Sequence, residues 1–139
     1  MVGVVIPGLT RNLGNANTHV MKDLLRLEEL AQFLFCLLLL IMLEPPWWCY
    51  GLLLIGPDVS MLGYLVNPRF GALAYNLFHH KAIALAVFLI GFSTGPFLDW
   101  MGVILYGHSS MDRMLGFGLK YSDDFKHTHL GWVGKKKEQ

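Results

Sequence analysis

Four long apolar stretches alternate with short polar or proline-containing segments along most of the chain. The first covers residues 24–43, and as an α-helix it would extend over about 30 Å, the thickness of a bilayer core. The others cover residues 47–66, 70–92 and 97–115. This pattern predicts an all-α, polytopic integral membrane protein built as a bundle of four transmembrane helices.

Proline and glycine residues mark where the predicted helices end or bend. Pro45 and Pro46 end the first helix, because proline cannot donate the backbone hydrogen bond that a helix interior requires. Gly56 and Pro57 interrupt the second stretch near its middle. The interruption predicts a kink in the second helix that points Asp58 into a polar pocket inside the bundle.

The two ends of the chain are predicted to lie outside a single membrane domain of residues 21–134. Residues 1–20 lack the apolar periodicity of a helix and the apolar core of a signal peptide, which predicts a disordered lead. Residues 5–13 look like translated repeat DNA, so Met21 is a candidate for the native start. Residues 135–139 contain three lysines and predict a basic tail.

Composition and charge narrow the class of protein. Hydrophobic residues make up 54% of the chain and charged residues 15%, proportions that are unusual for a soluble domain. A net charge of +1 without a basic stripe excludes an electrostatic footprint for nucleic acid. Cys36 and Cys49 lie in apolar stretches and indicate neither a disulfide framework nor a cysteine metal site.

Ionisable side chains inside the apolar stretches are candidates for function, because in hydrocarbon they are costly without a partner. A count of 1.5 Å per residue from each helix end places Asp58, His79 and His108 about 12 to 14 Å from the cytoplasmic side. Asp112 and Glu28 fall at about 6 Å. Side chains from several helices are therefore expected to line one pocket.

Two imidazoles and two carboxylates are suitable ligands for Zn²⁺, Mn²⁺ or Fe²⁺. Water bound to such an ion has a lowered pKa and can act as the nucleophile, with Glu28 or a free carboxylate oxygen as the general base. The sequence thus predicts a metal-dependent hydrolase acting on a lipid-like or amphiphilic substrate that enters from the lipid bilayer. Its predicted ligands are Asp58, His79, His108 and Asp112.

The same residues are also compatible with two other classes of function. A carrier or small binding protein would use the same side chains for protons or a cation. In a structural bundle, each histidine would only hydrogen-bond a neighbouring helix, and Asp112 would cap a helix end. His80 is left out of the group because it lies about 100° around the helix from His79.

Five segments together resemble a known family: Arg26–Leu30, Pro57–Tyr64, Tyr75–His79, Gly107–Lys120 and Thr128–Gly131. They resemble an uncharacterised bacterial membrane family, domain of unknown function 4260, over about residues 23–134. The resemblance implies a protein of the bacterial inner membrane and brings no established activity.

A more distant likeness links this chain to the membrane-bound metal-dependent hydrolases. Pro57 and Asp58, His79, and the pair His108 and Asp112 resemble the Pro-Asp, His and His-x-x-x-Asp elements of those enzymes. Ser60 stands where their usual Pro-Asp-x-Asp has its second aspartate. The likeness therefore implies the same metal site with one ligand fewer.

Topology supplies a first test. Lysine and arginine flank the first stretch, the connection between the second and third, and the end of the fourth, which predicts cytoplasmic termini. Reporter fusions after Val66 and at the C-terminus should therefore read cytoplasmic, and fusions after Leu43 and Ser93 should read external. An external C-terminus would contradict both the orientation and the depth count.

Overall fold

The computed structural model describes residues 7–134, and helices account for most of them. Residues 1–6 of the predicted lead and the predicted basic tail lie outside this range. In chain order the elements are α1 (Pro7–Met42), α2 (Trp48–Ile55), a 3₁₀ helix (Pro57–Leu65), α3 (Pro68–Phe78), α4 (Lys81–Thr94), α5 (Pro96–Leu115), β1 (His127–Thr128) and β2 (Gly131–Trp132). The two short strands pair antiparallel. The all-α class predicted from the sequence is confirmed.

Helix α5 is the central element of the fold and packs against α1, α2 and α4. A cluster of buried side chains joins three of these helices: Cys36 and Leu40 of α1, Cys49 and Leu53 of α2, and Val103 and Ile104 of α5. Van der Waals contacts among these closely packed side chains stabilise the position of α5. Both cysteines are buried within this cluster and are unpaired.

Gly107 allows the three helices to approach closely beside His108. A Cβ atom at this position would lie 2.8 Å from Leu53 Cδ1 and 2.9 Å from Cys36 Cβ. Real side chains do not tolerate such distances, so a larger residue would push α1 and α2 away from α5.

The second apolar stretch is interrupted at the predicted place, but by a change of helix type. Gly56 N–H donates to Leu52 O at 2.8 Å, which is the last hydrogen bond of α2. Pro57 has no N–H to continue the series, and the chain proceeds as the 3₁₀ helix. Asp58 lies in the first turn of the 3₁₀ helix.

The third stretch is divided, although it contains no proline at the break. Helix α3 ends at Phe78 and α4 begins at Lys81, and the two axes are bent by 48°. His79 occupies the C-cap of α3, and His80 adopts an extended backbone before α4. Within the described residues, no helix alone has the length and apolarity to cross a membrane, whereas the bent pair of α3 and α4 meets both criteria together.

Helix α1 starts earlier than the sequence pattern predicts. It begins at Pro7, so residues 7–20 are helical and not a disordered lead. Proline suits the first turn of a helix, where its missing N–H would have no intrahelical partner. Residues 16–27 are all exposed.

Deletion of residues 1–20 should leave the thermal unfolding midpoint unchanged, because the described side chains of residues 16–20 are exposed. The comparison is Leu40→Ala, which truncates a fully buried side chain and should lower the free energy of unfolding by about 2–5 kcal/mol. Thermal unfolding of the purified proteins measures both effects. A loss of stability in the deletion that equals the loss in Leu40→Ala would contradict the prediction.

Candidate metal centre

Four ionisable side chains meet where the 3₁₀ helix, the end of α3 and the last turns of α5 come together. They are Asp58, His79, His108 and Asp112, and one donor atom of each lies within 4.8 Å of the donor atoms of the other three. His79, His108 and Asp112 are buried, and Asp58 is partly exposed. The structure thus brings together the four side chains that were predicted as metal ligands.

Each imidazole faces both carboxylates through its Nε2 atom. His79 Nε2 lies 3.4 Å from Asp112 Oδ2 and 3.7 Å from Asp58 Oδ1. His108 Nε2 lies 3.5 Å from Asp58 Oδ1 and 3.8 Å from Asp112 Oδ1. The two nitrogens and the carboxylate oxygens therefore surround a common point.

The other ring nitrogen of each histidine is bound to a backbone carbonyl. His79 Nδ1 lies 2.8 Å from Tyr75 O, and His108 Nδ1 lies 3.0 Å from Leu53 O. Carbonyl oxygens only accept hydrogen bonds, so Nδ1 carries the proton, and Nε2 of the neutral ring presents a lone pair. Histidines that ligate metals in proteins are held in this way.

The carbonyl that receives His108 is made available by Pro57. In a continuous helix Leu53 O would accept from the amide of residue 57, but proline has no N–H. His108 Nδ1 takes this place in the structure. The interruption in the second apolar stretch therefore orients an imidazole on α5.

Three atoms of the centre are buried without a hydrogen-bond partner. They are Asp58 Oδ1, His79 Nε2 and His108 Nε2. An unsatisfied buried polar group costs about 1–3 kcal/mol, so three such atoms at one point are a substantial penalty. A cation bound between them would remove it.

Tyr75 holds two members of the centre, although the sequence pattern predicted no role for it. Its hydroxyl donates to Asp112 Oδ2 at 2.5 Å. Its ring stacks on the imidazole of His79, with centroids 3.8 Å apart and an interplanar angle of 11°. The four-residue spacing of Tyr75 and His79 on one helix face was the available signal.

Lys120 joins the segment after α5 to α3 beside the centre. Its backbone N–H donates to Asn76 Oδ1 at 2.7 Å, and Asn76 Nδ2 donates to the carbonyl of Lys120 at 2.8 Å. Lys120 Nζ donates to Phe125 O at 2.9 Å and lies 4.7 Å from the Tyr75 ring centroid. Burial lowers the pKa of the Lys120 ammonium, and the nearby charges of Asp112 and Asp58 act in the opposite direction.

The structure does not bring Glu28, the predicted general base, to the four-residue group. Its side chain is exposed, accepts from Gln32 Nε2 at 3.3 Å, and faces a different cavity. The neighbouring Glu29 is the inward-facing residue, paired with Lys81 and 3.9 Å from Arg113 Nη1. The depth count missed this difference because adjacent helical residues point about 100° apart.

Comparison with known proteins identifies the family. No curated protein and no solved structure matches the chain significantly, and the distant likeness to membrane-bound metal-dependent hydrolases receives no support from these comparisons. One family model matches residues 22–133, which is most of the chain and includes all four members of the centre. The chain belongs to that family, the domain of unknown function DUF4260.

Proposed function

We propose that this protein is a metal-dependent hydrolase that holds Zn²⁺, Mn²⁺ or Fe²⁺ between Asp58, His79, His108 and Asp112. The observation that carries the proposal is the convergence of three buried, unpartnered donor atoms from Asp58, His79 and His108. Neutral imidazole and carboxylate together suit these ions.

The spacing of the donor atoms supports metal binding. Ligand atoms bound to zinc at about 2.0–2.2 Å in tetrahedral geometry are about 3.3–3.6 Å apart. The nitrogen–oxygen distances are 3.5 and 3.7 Å to Asp58 Oδ1, 3.4 Å to Asp112 Oδ2 and 3.8 Å to Asp112 Oδ1. With one donor atom from each residue, the group lies within 4.8 Å, so the side chains would have to move closer together around an ion.

The proposed hydrolysis assigns different roles to these residues. A divalent ion at such a site supplies Lewis-acid chemistry and lowers the pKa of coordinated water. Asp112 is held by the Tyr75 hydroxyl, whereas the Asp58 side chain is 37% exposed. The second oxygen of Asp58 is therefore the best-placed proton acceptor, and it takes the role first expected of Glu28.

The proposed setting is the lipid bilayer of the bacterial inner membrane, with both termini cytoplasmic and an amphiphilic substrate that enters laterally. Its support is the exposure of large apolar side chains on several helices. Examples more than 50% exposed are Leu34, Leu38, Ile41, Leu77 and Leu89. Such surfaces are typical of a protein that contacts lipid or another protein.

Metal content tests the site directly. His79→Ala, His108→Ala and Asp112→Asn should each lose most of the bound transition metal measured by elemental analysis of the purified protein. Loss of one ligand removes a bond to the ion and leaves another buried group unpartnered. The matched control is His80→Ala, since His80 is exposed and adjacent to His79 but outside the group.

Two outcomes of this experiment would contradict the proposal. Stoichiometric metal that persists in all the variants would place the ion elsewhere. Absence of metal from the unmodified protein, with proton- or cation-dependent transport that fails in Asp112→Asn, would favour the carrier.

Hydrolysis is tested with para-nitrophenyl butyrate. The unmodified protein should hydrolyse this ester, a chelator should abolish the activity, and Zn²⁺ or Mn²⁺ should restore it. Asp58→Asn should lower the rate by about 100-fold or more, the usual contribution of a general base. It should lose less metal than His79→Ala or His108→Ala, because the asparagine keeps an oxygen that can bind the ion. Activity that is insensitive to chelator would refute a metal-dependent reaction.

A further inference from the structure

A cavity lies between α1, α4 and α5. Its volume is about 630 Å³, within the range of small-molecule sites. Most of its lining is apolar and includes Phe35, Cys36, Leu39, Leu85, Phe88 and Val103. Glu28, Gln32 and Tyr106 are its polar lining residues.

This cavity is separate from the candidate metal centre. None of its described lining residues belongs to the group of Asp58, His79, His108 and Asp112. At 100° per residue, Val103 and Tyr106 lie on roughly the opposite face of α5 from His108 and Asp112. Helix α5 therefore forms a wall between two sites.

The lining changes from polar to apolar along α1. Glu28 and Gln32 line the cavity near one end, and Phe35, Cys36 and Leu39 follow at helical spacing. From Glu28 to Leu39 the helix rises by eleven steps of about 1.5 Å, which is about 16 Å in all. An elongated ligand with one polar end matches this arrangement.

The polar end is ordered by contacts among three helices. Lys81 Nζ donates to Gln32 Oε1 at 2.6 Å and is paired with Glu29. The Tyr106 hydroxyl donates to the same Gln32 oxygen at 3.2 Å. Among the described lining residues, Glu28 is the one with a formal charge, while Glu29 behind it is shared by Lys81 and Arg113.

The opposite properties of the two ends define the ligand. We propose that the cavity binds the single acyl chain of an amphiphile whose uncharged, hydroxyl-bearing head group contacts Glu28 and Gln32. The carboxylate accepts hydrogen bonds from hydroxyls and repels an anionic head group. Phe35 and Leu85 are 64% and 48% exposed, so the apolar part of the cavity opens on an apolar outer surface through which a chain can enter.

The probe is a monoacylglycerol that carries a diazirine in its acyl chain, added to the full chain in phosphatidylcholine vesicles. Photolabelled peptides mapped by mass spectrometry should come from the cavity-lining parts of α1, α4 and α5. Unlabelled monoacylglycerol should compete. Labels distributed evenly over the outer faces of the helices would overturn the proposal.

A matched pair of variants localises the binding. Leu39→Trp fills the cavity, whereas Leu38→Trp makes the same change at the next residue, which is 56% exposed and outside the lining. Leu39→Trp should weaken the competition by unlabelled monoacylglycerol by about tenfold, equivalent to about 1.4 kcal/mol of binding free energy. Leu38→Trp should leave this competition unchanged. If Leu39→Trp does not fold, Ala31→Trp at the exposed rim of the cavity replaces it.

The head group is tested by competition with a fatty acid of the same chain length. The fatty acid should compete less well than monoacylglycerol, and Glu28→Gln should reduce the difference. A fatty acid that competes equally well or better overturns the proposed head-group chemistry. Bound metal should be unaffected in all these variants, so failure here is distinguishable from failure of the metal site.

Discussion

The hydrogen bonds that hold two buried imidazoles to backbone carbonyls organise the centre of this fold. Two imidazoles are placed among packed helices, and each requires an acceptor for its Nδ1 proton. Leu53 O is available because Pro57 has no N–H, whereas Tyr75 O also accepts the backbone N–H of His79 at the end of α3. The break at Pro57 is therefore part of the site and not a defect in the bundle.

The helix breaks also explain how much of the centre could be predicted from the sequence. Proline and glycine chemistry is local, so the break at Gly56 and Pro57 was visible in the sequence. Ionisable residues in apolar stretches identified the four members of the centre, which helical levels placed near one another. The second break, at His79 and His80, lacks any such marker. It lies beside Lys81, whose partner Glu29 is 52 residues earlier in the chain.

The rotation of α1 about its own axis is the other property that could not be predicted from the sequence. The apolar pattern of α1 does not distinguish Glu28 from Glu29, because both precede the long run of leucines. Contacts with Lys81 and Arg113, from two other helices, decide which carboxylate faces inward. The start of α1 was missed for a related reason, since exposed residues near its N-terminus carry little periodicity.

The hydrogen bond from His108 to the carbonyl before Pro57 has a consequence for ion selectivity. It fixes the imidazole by the backbone, and the stack of Tyr75 on His79 fixes the other ring. The two imidazoles therefore have little side-chain entropy left to lose if the proposed ion binds. Calcium requires six or more oxygen ligands at about 2.3–2.6 Å, so two fixed nitrogen donors would disfavour it. Helix geometry, through the missing amide proton of Pro57, would thereby select against calcium at the proposed site.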